Sequence, residues 1–436
     1  MHLSVKIQLH MIRFFKYSII LLLVYCFATC SNECPFEFQE EIHTDTEILS
    51  YKPAKMFILT QDEKPISGKE KKDYVSCIIT LEHDSVAYNF TGEGKIRGRG
   101  NTTWEWFPKK PYRIKLNTEA SLMGMHKEKD WVLLANYRDP TDMMNAFAFE
   151  VGRLSMVPYS NNNRFVELYI NNQYNGIYQL TEQIEIGEHR VNICPENGII
   201  LSMDVDDGPK NSPNTGDNFI SKQYNIPICV KYPDDISKDK IDSIWQQFYQ
   251  LEKCILENNY EEFCQITDVE SFADFILIQE LVCNIDFCRP GSIYIHRNMN
   301  NKWTMGPLWD FDSAYDFDWS KKETGHDYFI SDNNLILGSN PAELKGITEK
   351  TWFFTHLFKM PEFIQIYKKR WDALKDKIMA VAWKNTYHYF SEMIPLLYID
   401  NQFWEIDKNP ETEVCRMQQW LEKRIVLMDE TINNIK

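Results

Sequence analysis

"GPLWDFDSAYDFDW", Gly306 to Trp319, sets Asp310, Asp312, Asp316 and Asp318 among Trp309, Phe311, Tyr315, Phe317 and Trp319. Alternation of apolar and acidic residues predicts a half-buried strand, with its aromatic rings towards a core and its acids on the other face. A row of carboxylates on one face repels itself and asks for a cation. Taken alone, the stretch is equally an acidic strand facing water, so the surrounding sequence has to decide.

The chain has 436 residues and a formal net charge of −16. That length accommodates one large or two medium domains with a real core. The acidic balance argues against a general nucleic-acid binder, which would carry a basic face. The stretch from Arg97 to Lys115 is nevertheless strongly basic and is a candidate phosphate pocket inside an acidic protein. At the N-terminus, Lys6, Arg13 and Lys16 precede the apolar run Tyr17 to Cys30. That run is short for a membrane span and has the build of an export signal. Its end, Phe27, Ala28, Thr29 and Cys30, resembles a bacterial lipobox. The expectation is a lipoprotein signal over 1–30 with lipidation of Cys30, a tether over 31–50, and a location outside the cytoplasm at the cell envelope. The remaining cysteines are scattered, with no CxxC pair and no histidine at zinc spacing.

The first half reads mostly as strands, "SCIITLEHD", "YNFTGEGKIRGRG" and "KPYRIKLN". A helix follows in "DPTDMMNAFAFEVGRL", with Pro140 near its start and Asp139 as a candidate cap. "RFVELYINNQYNGIYQLTEQIEI" reads as a hairpin turning at Asn171 to Gln173. Beyond a Pro/Asn/Gly-rich loop, Gly208 to Asp217, the periodicity is mainly helical, interrupted by the strands "SIYIHRN" and "WTMGPLWDFD". This is an α+β order: a strand-rich half with one main helix over 51–205, a mainly helical half over 206–436, and a natural cleft between them.

Five blocks, "KIRGRGNTTWEWFPKKPYRIKLN", "WVLLANYRDPTDMMNAFAFEVGR", "FVELYINNQYNGIYQLTEQIEI", "ELVCNIDFCRPGSIYIHRN" and "MGPLWDFDSAYD", resemble in order the spore coat protein H (CotH) kinase family. The resemblance runs from about Met56 to about Ile378. It implies a divergent, two-lobed, protein-kinase-like fold that binds ATP with Mg²⁺ or Mn²⁺ and phosphorylates Ser or Thr on an extracytoplasmic protein acceptor.

Phosphoryl transfer needs a phosphate cradle, a cation on the triphosphate, metal ligands and a carboxylate near the acceptor hydroxyl. For the cradle the resemblance offers Arg97, Gly98, Arg99, Gly100 and Asn101, where glycines allow close backbone approach. Lys115 in "PYRIKL" takes the place of the lysine that pairs the phosphates, with Lys109 and Lys110 as rivals. Its carboxylate partner is expected on the next helix, at Glu150 in preference to Asp142. Glu182 and Gln183 fall by analogy at the adenine clamp, Asp286 at the acceptor base, and Asp310 with Asp312 at the metal. Three departures stand out. Asn284 and Ile285 replace the His-Arg before the catalytic Asp, Ser292 replaces a metal-binding Asn, and Asp312 replaces the Gly of "DFG". A second class of function, a non-catalytic surface protein that binds a nucleotide or glycan on the same scaffold, remains open on these residues.

Overall fold

Inward-facing apolar residues at every second position build the first half of the protein. In the computed structural model, which describes residues 51–205, 217–234, 236–288, 290–317 and 352–435, seven strands form a closed barrel. They are β1 (Ala54–Thr60), β2 (Val75–Glu82), β3 (Phe90–Gly98), β4 (Tyr112–Ala120), β5 (Glu128–Leu134), β6 (Arg164–Ile170) and β7 (Gln173–Glu182). The order is β1-β2-β3-β4-β5-β7-β6, and a parallel β1–β6 pair closes it. Ile58, Ile79, Ile96, Ile114, Leu168 and Leu180 are all buried in the same core. Closure leaves the alternate residues of β3 and β4 on the outside. The β6–β7 hairpin turns where expected, through Asn171 (φ 50°) and Asn172 (φ 61°), and asparagine tolerates this left-handed backbone.

A five-residue helix, α1 (Thr102–Trp106), joins β3 to β4. α2 (Met144–Arg153) lies between β5 and β6 in sequence and is buried on every side from Met144 to Gly152. It starts four residues beyond Pro140, yet Asp139 still serves its first turn. One carboxylate oxygen accepts from the Thr141 N–H and the other from the Met144 N–H, both at 2.8 Å.

The second half holds a larger sheet than the expected hairpin. β8 (Ile200–Met203), β9 (Asn218–Ile220), β10 (Pro227–Tyr232), β11 (Ile293–Arg297) and β12 (Trp303–Met305) pair in the order β12-β11-β8-β10-β9. Because β8 pairs with both β10 and β11, the sheet draws strands from both sides of position 206. The helices are α3 (Lys238–Leu256), α4 (Tyr260–Ile266), α5 (Val269–Leu281), α6 (Ile285–Cys288), α7 (Trp352–Thr355), α8 (Pro361–Lys377), α9 (Lys384–Phe403) and α10 (Pro410–Asn434). The fold is thus α+β, and residues 49–436 form one compact unit. The expected export signal with Cys30, the tether, most of the Gly208–Asp217 loop, Asp318 and Trp319 lie outside the described residues. Among the described residues no helix is long and apolar enough to cross a membrane.

The opening stretch is not a strand. β12 stops at Met305, where Pro307 has no N–H to offer a ladder. Asp310 (φ 67°), Tyr315 (φ 62°) and Asp316 (φ 55°) then turn left-handed, which breaks the pleat. The aromatic residues are buried as the alternation implied, but in an irregular loop: Trp309, Phe311, Tyr315 and Phe317 are at most 7% exposed.

Candidate functional site

A cleft of about 1440 Å³ has the outer face of β3 and β4 as one wall. Lys95 stands opposite Lys115 and Arg97 opposite Arg113 in the antiparallel register. Cations placed directly across from one another repel. The next strand relieves half of this. Asp130 on β5, the register partner of Lys115, holds Lys115 Nζ at 3.0 Å and Arg113 Nη2 at 2.7 Å. Arg113 also pairs with Glu185. The hydrogen bond that Lys115 donates to Asp130 raises its ammonium above the ordinary range.

The carboxylate that holds Lys115 is therefore Asp130 and not Glu150. Glu150 is 5% exposed, pairs with Arg153, and accepts from Asn163 Nδ2 at 3.1 Å and Asn385 Nδ2 at 3.2 Å, away from the cleft. Asp142 is also buried elsewhere, beside Lys109 and Asp400. Lys109 is locked to Asp400 at 2.8 Å with both side chains 1% exposed, and Lys110 Nζ donates to the Trp104 carbonyl at 2.5 Å. Neither rival lysine lines the cleft. Glu182 is taken up by the Asn162 N–H at 2.9 Å and Asn162 Nδ2 at 2.6 Å, whereas its neighbour Gln183 does line the cleft.

The glycine cradle is narrower than expected. A Cβ at Gly98 would sit 2.2 Å from the Trp104 indole, so packing of α1 and not an anion requires that glycine. Gly100, with φ 81°, lines the cleft together with Arg97, Arg99 and Asn101.

The opposite wall is acidic and irregular. Asp286, Ser292, Asp310 and Asp312 line it. α2 carries this loop: Asn145 Oδ1 accepts from the Phe311 N–H at 2.9 Å, and Tyr315 Oη donates to the Met144 carbonyl at 2.7 Å. The rings of Trp309 and Phe311 pack on Phe149 of the same helix, at centroid distances of 6.2 and 6.5 Å. So held, Asp310 keeps its left-handed backbone, a strained conformation for a residue with a side chain. Ser292 Oγ donates to Asp310 Oδ2 at 3.3 Å.

Burial pushes the Asp310 carboxyl up to about 6, and Asp312 adds to the rise against Arg99 and Arg138. Asp312 is also raised, by burial first and then by Asp286, while Arg138 opposes. Arg138 Nη1 lies 3.4 Å from Asp312 Oδ1. Arg99 lies 5.2 Å over the Trp309 ring, so one cation of the basic wall touches the acidic one. Among the described residues no group of three or more His, Cys, Asp or Glu is arranged to hold a metal ion.

The cleft thus brings together Lys115, Arg97, Arg99, Gly100, Asn101, Gln183, Asp286, Asp310 and Asp312. It leaves out Gly98, Glu150 and Glu182. Residues the sequence reading missed are Asp130, Glu185, Arg113 and Arg138. Asp130 was detectable in principle, since "KEKDWVLL" is the strand after "RIKL" and its register puts that Asp opposite the lysine.

A family model described as CotH kinase protein matches residues 96–428. Among curated proteins none matches the chain. The chain belongs to the CotH kinase protein family.

Proposed function

We propose that this member of the family is an atypical, two-lobed protein-kinase-like phosphotransferase. It moves the γ-phosphate of ATP, with Mg²⁺ or Mn²⁺, to Ser or Thr hydroxyls of a protein acceptor outside the cytoplasm. In this reading the barrel is the phosphate-binding half, and the second sheet with its helices is the acceptor half. The observation that carries it is the pairing, across one cleft, of a cationic strand face with an acidic loop that holds Asp286, Asp310 and Asp312.

The acidic loop suits a hard divalent cation. Asp310 and Asp312 offer oxygen donors, and burial beside each other raises both carboxyls in spite of Arg99 and Arg138. Two carboxylates are the share a protein gives Mg²⁺ when phosphates and water supply the rest. Such an ion, when bound, draws the phosphate oxygens together and offsets their charge. Lys115, Arg97 and Arg99 bind triphosphate oxygens as charge-assisted donors, with the Gly100–Asn101 backbone beside them. Gln183 meets the base, next to Ile184. Asp286 accepts the proton of the acceptor hydroxyl, and Ser292 orients Asp310. A lipid on Cys30 would fix the enzyme at the cell envelope, and no nucleic-acid partner is expected of so acidic a chain.

Titration of ATP with and without Mg²⁺ by calorimetry, beside radiolabel transfer to a generic acceptor, tests the reading. Metal-dependent binding and transfer are expected. A protein that binds no nucleotide would overturn the reading and leave a surface-binding scaffold. Labelled fatty acid absent from the wild-type protein would remove the anchor.

A further inference from the structure

Several basic side chains in and beside the cleft have a carboxylate close by. Arg113 and Lys115 share Asp130, Arg138 has Asp312, and Lys69 has Glu105 at 3.2 Å. Among the described residues Lys71, Lys95 and Arg97 pair with none. Lys71 is exposed in the short turn Lys71–Asp73 that precedes β2. Lys95 Nζ and the Arg97 guanidinium stand 4.8 and 5.1 Å over the ring of Tyr74, the residue before β2. In a chain of net charge −16, two such cations over one aromatic ring, with Lys71 three residues before that ring in sequence, are a local excess that an anion would relieve.

The sheet order indicates which anion. Across the barrel face the strands run β7, β5, β4, β3, β2. Ile184 and Ile186, just after β7, give the cleft an apolar end. Asp130 and Glu185 come next, then the cations they hold on β4. Lys95 and Arg97 lie one strand further, on β3 and opposite Lys115 and Arg113, and Lys71 lies beyond them at the entry to β2, about 10 Å from β4 at two strand spacings. A nucleotide with its base at the β7 end and its phosphates over β4 leaves this far side uncovered. A hydroxyl that approaches the outer end of the triphosphate has to come from there.

We infer that Lys71, Lys95 and Tyr74 form a docking surface for an acidic peptide segment flanking the accepting Ser or Thr. Lys95 on β3 is four residues from Arg99, which follows the end of that strand, about 13 Å if extended, a span that extended peptide covers in about four residues. The surface therefore reads an Asp or Glu some three to five positions from the acceptor. Arg97 at its inner edge is shared with the triphosphate. The aromatic ring holds the two cations that stand over it in place. The use made of the bound segment rests on the phosphotransferase reading, whereas the binding surface does not.

The test uses the full chain and three fluorescent Ser/Thr peptides that differ only in flanking residues: Glu-rich, neutral and Lys-rich. Anisotropy reads binding with and without ATP and metal, and radiolabel transfer reads KM for peptide and for ATP. The Glu-rich peptide should bind at least tenfold more tightly than the neutral one, and less so as salt is raised. Lys71→Glu, which leaves the β3–β4 face intact, should weaken that preference while the KM for ATP stays within twofold, and Lys71→Glu with Lys95→Glu should erase it. The milder Lys71→Gln with Lys95→Gln guards against a folding defect and should lose part of it. If the Glu-rich and neutral peptides bind alike, or if ATP affinity falls in step with peptide affinity, the surface is not an acceptor dock. If the Glu-rich peptide binds through Lys71 and Lys95 but no phosphate moves, the docking surface stands and the kinase reading fails.

Discussion

The two walls of the cleft are built on different principles. The basic wall is a regular sheet in which register alone sets Lys95 against Lys115 and Lys115 against Asp130. The acidic wall is a loop whose key residue, Asp310, has a left-handed backbone and is pinned through Asn145 and Phe149 of a buried helix. A charge placed by register needs no strained backbone, and the repulsion between facing cations is partly relieved by Asp130. A charge placed by a strained loop persists only because packing over-determines it. The strained wall is where the demanding positions are concentrated, and the regular wall is where small changes should be tolerated.

The largest expected effect falls on the acidic wall. Asp310→Asn should weaken metal-dependent ATP binding and abolish transfer. Asp286→Asn should bind metal and ATP nearly as wild type, yet lose transfer by about 10²–10⁴-fold, the usual contribution of a positioned base. Nucleotide titration beside radiolabel transfer separates the two. Loss of metal-dependent binding in Asp286→Asn, with retention in Asp310→Asn, would reverse their roles. Normal transfer by both would reduce the acidic wall to structure.

Next comes the support under that wall. His296 on β11 is buried, its Nδ1 lies 2.9 Å from the Gly306 carbonyl at the start of the acidic loop, and burial pushes its pKa down to about 4. The folded state keeps His296 neutral, while an unfolded chain takes up the proton below about pH 6.5. Stability due to this residue is therefore complete above pH 6.5 and is lost as pH falls towards 4, by up to about 3 kcal/mol. Denaturant unfolding across that window should show the slope in wild type and a flatter one in His296→Gln. An unchanged slope would mean that other groups set the acid sensitivity.

On the basic wall the effects shrink. Gly98→Ala drives a methyl into the rigid Trp104 ring and should cost about 1–3 kcal/mol of stability through displacement of α1. A melting temperature equal to wild type would show that α1 yields freely. Smallest of all, Asp130→Asn should alter ATP affinity only a few-fold, since Lys115 is 42% exposed and water screens the pair. Adenosine binding should not change. Glu150→Gln should lower stability through its buried contacts without changing the ratio of ATP to adenosine affinity. If Glu150→Gln changes that ratio and Asp130→Asn does not, the lysine's partner lies on the helix after all.

The same contrast explains what the sequence could reveal. Period-two alternation exposed β2, β3, β4 and the β6–β7 hairpin, because each half-buried strand carries its own signature. It could not reveal that β1 closes on β6, a pairing between segments far apart in the chain. "WDFDSAYD" had the alternation of a strand because its aromatic residues are buried; Pro307 was a local sign against a ladder, but the turn at Asp310 is held by tertiary packing that no period records. Glu150 was preferred because the resemblance puts the lysine's carboxylate on the following helix. α2 is buried on all sides, and its charges are matched to Arg153 and Asn385 instead. Lys115, Asp286, Asp310 and Asp312 were placed in one cleft by the order of the blocks, a signal independent of local periodicity.

The parallel seam between β1 and β6 also constrains how the chain is made. Every other neighbour in the barrel is antiparallel, and the seam joins Ala54 to Val166. A chain synthesised from its N-terminus holds β1 unpaired on one side until β6 has appeared, so closure is a late, long-range event. The family match begins at residue 96, within β3, and leaves β1 and β2 outside it. A fragment cut to that boundary would expose the open edges of β3 and β6, a template for pairing with its own copies. Recombinant work on the cleft therefore has to begin upstream of Ala54, or it will measure aggregation.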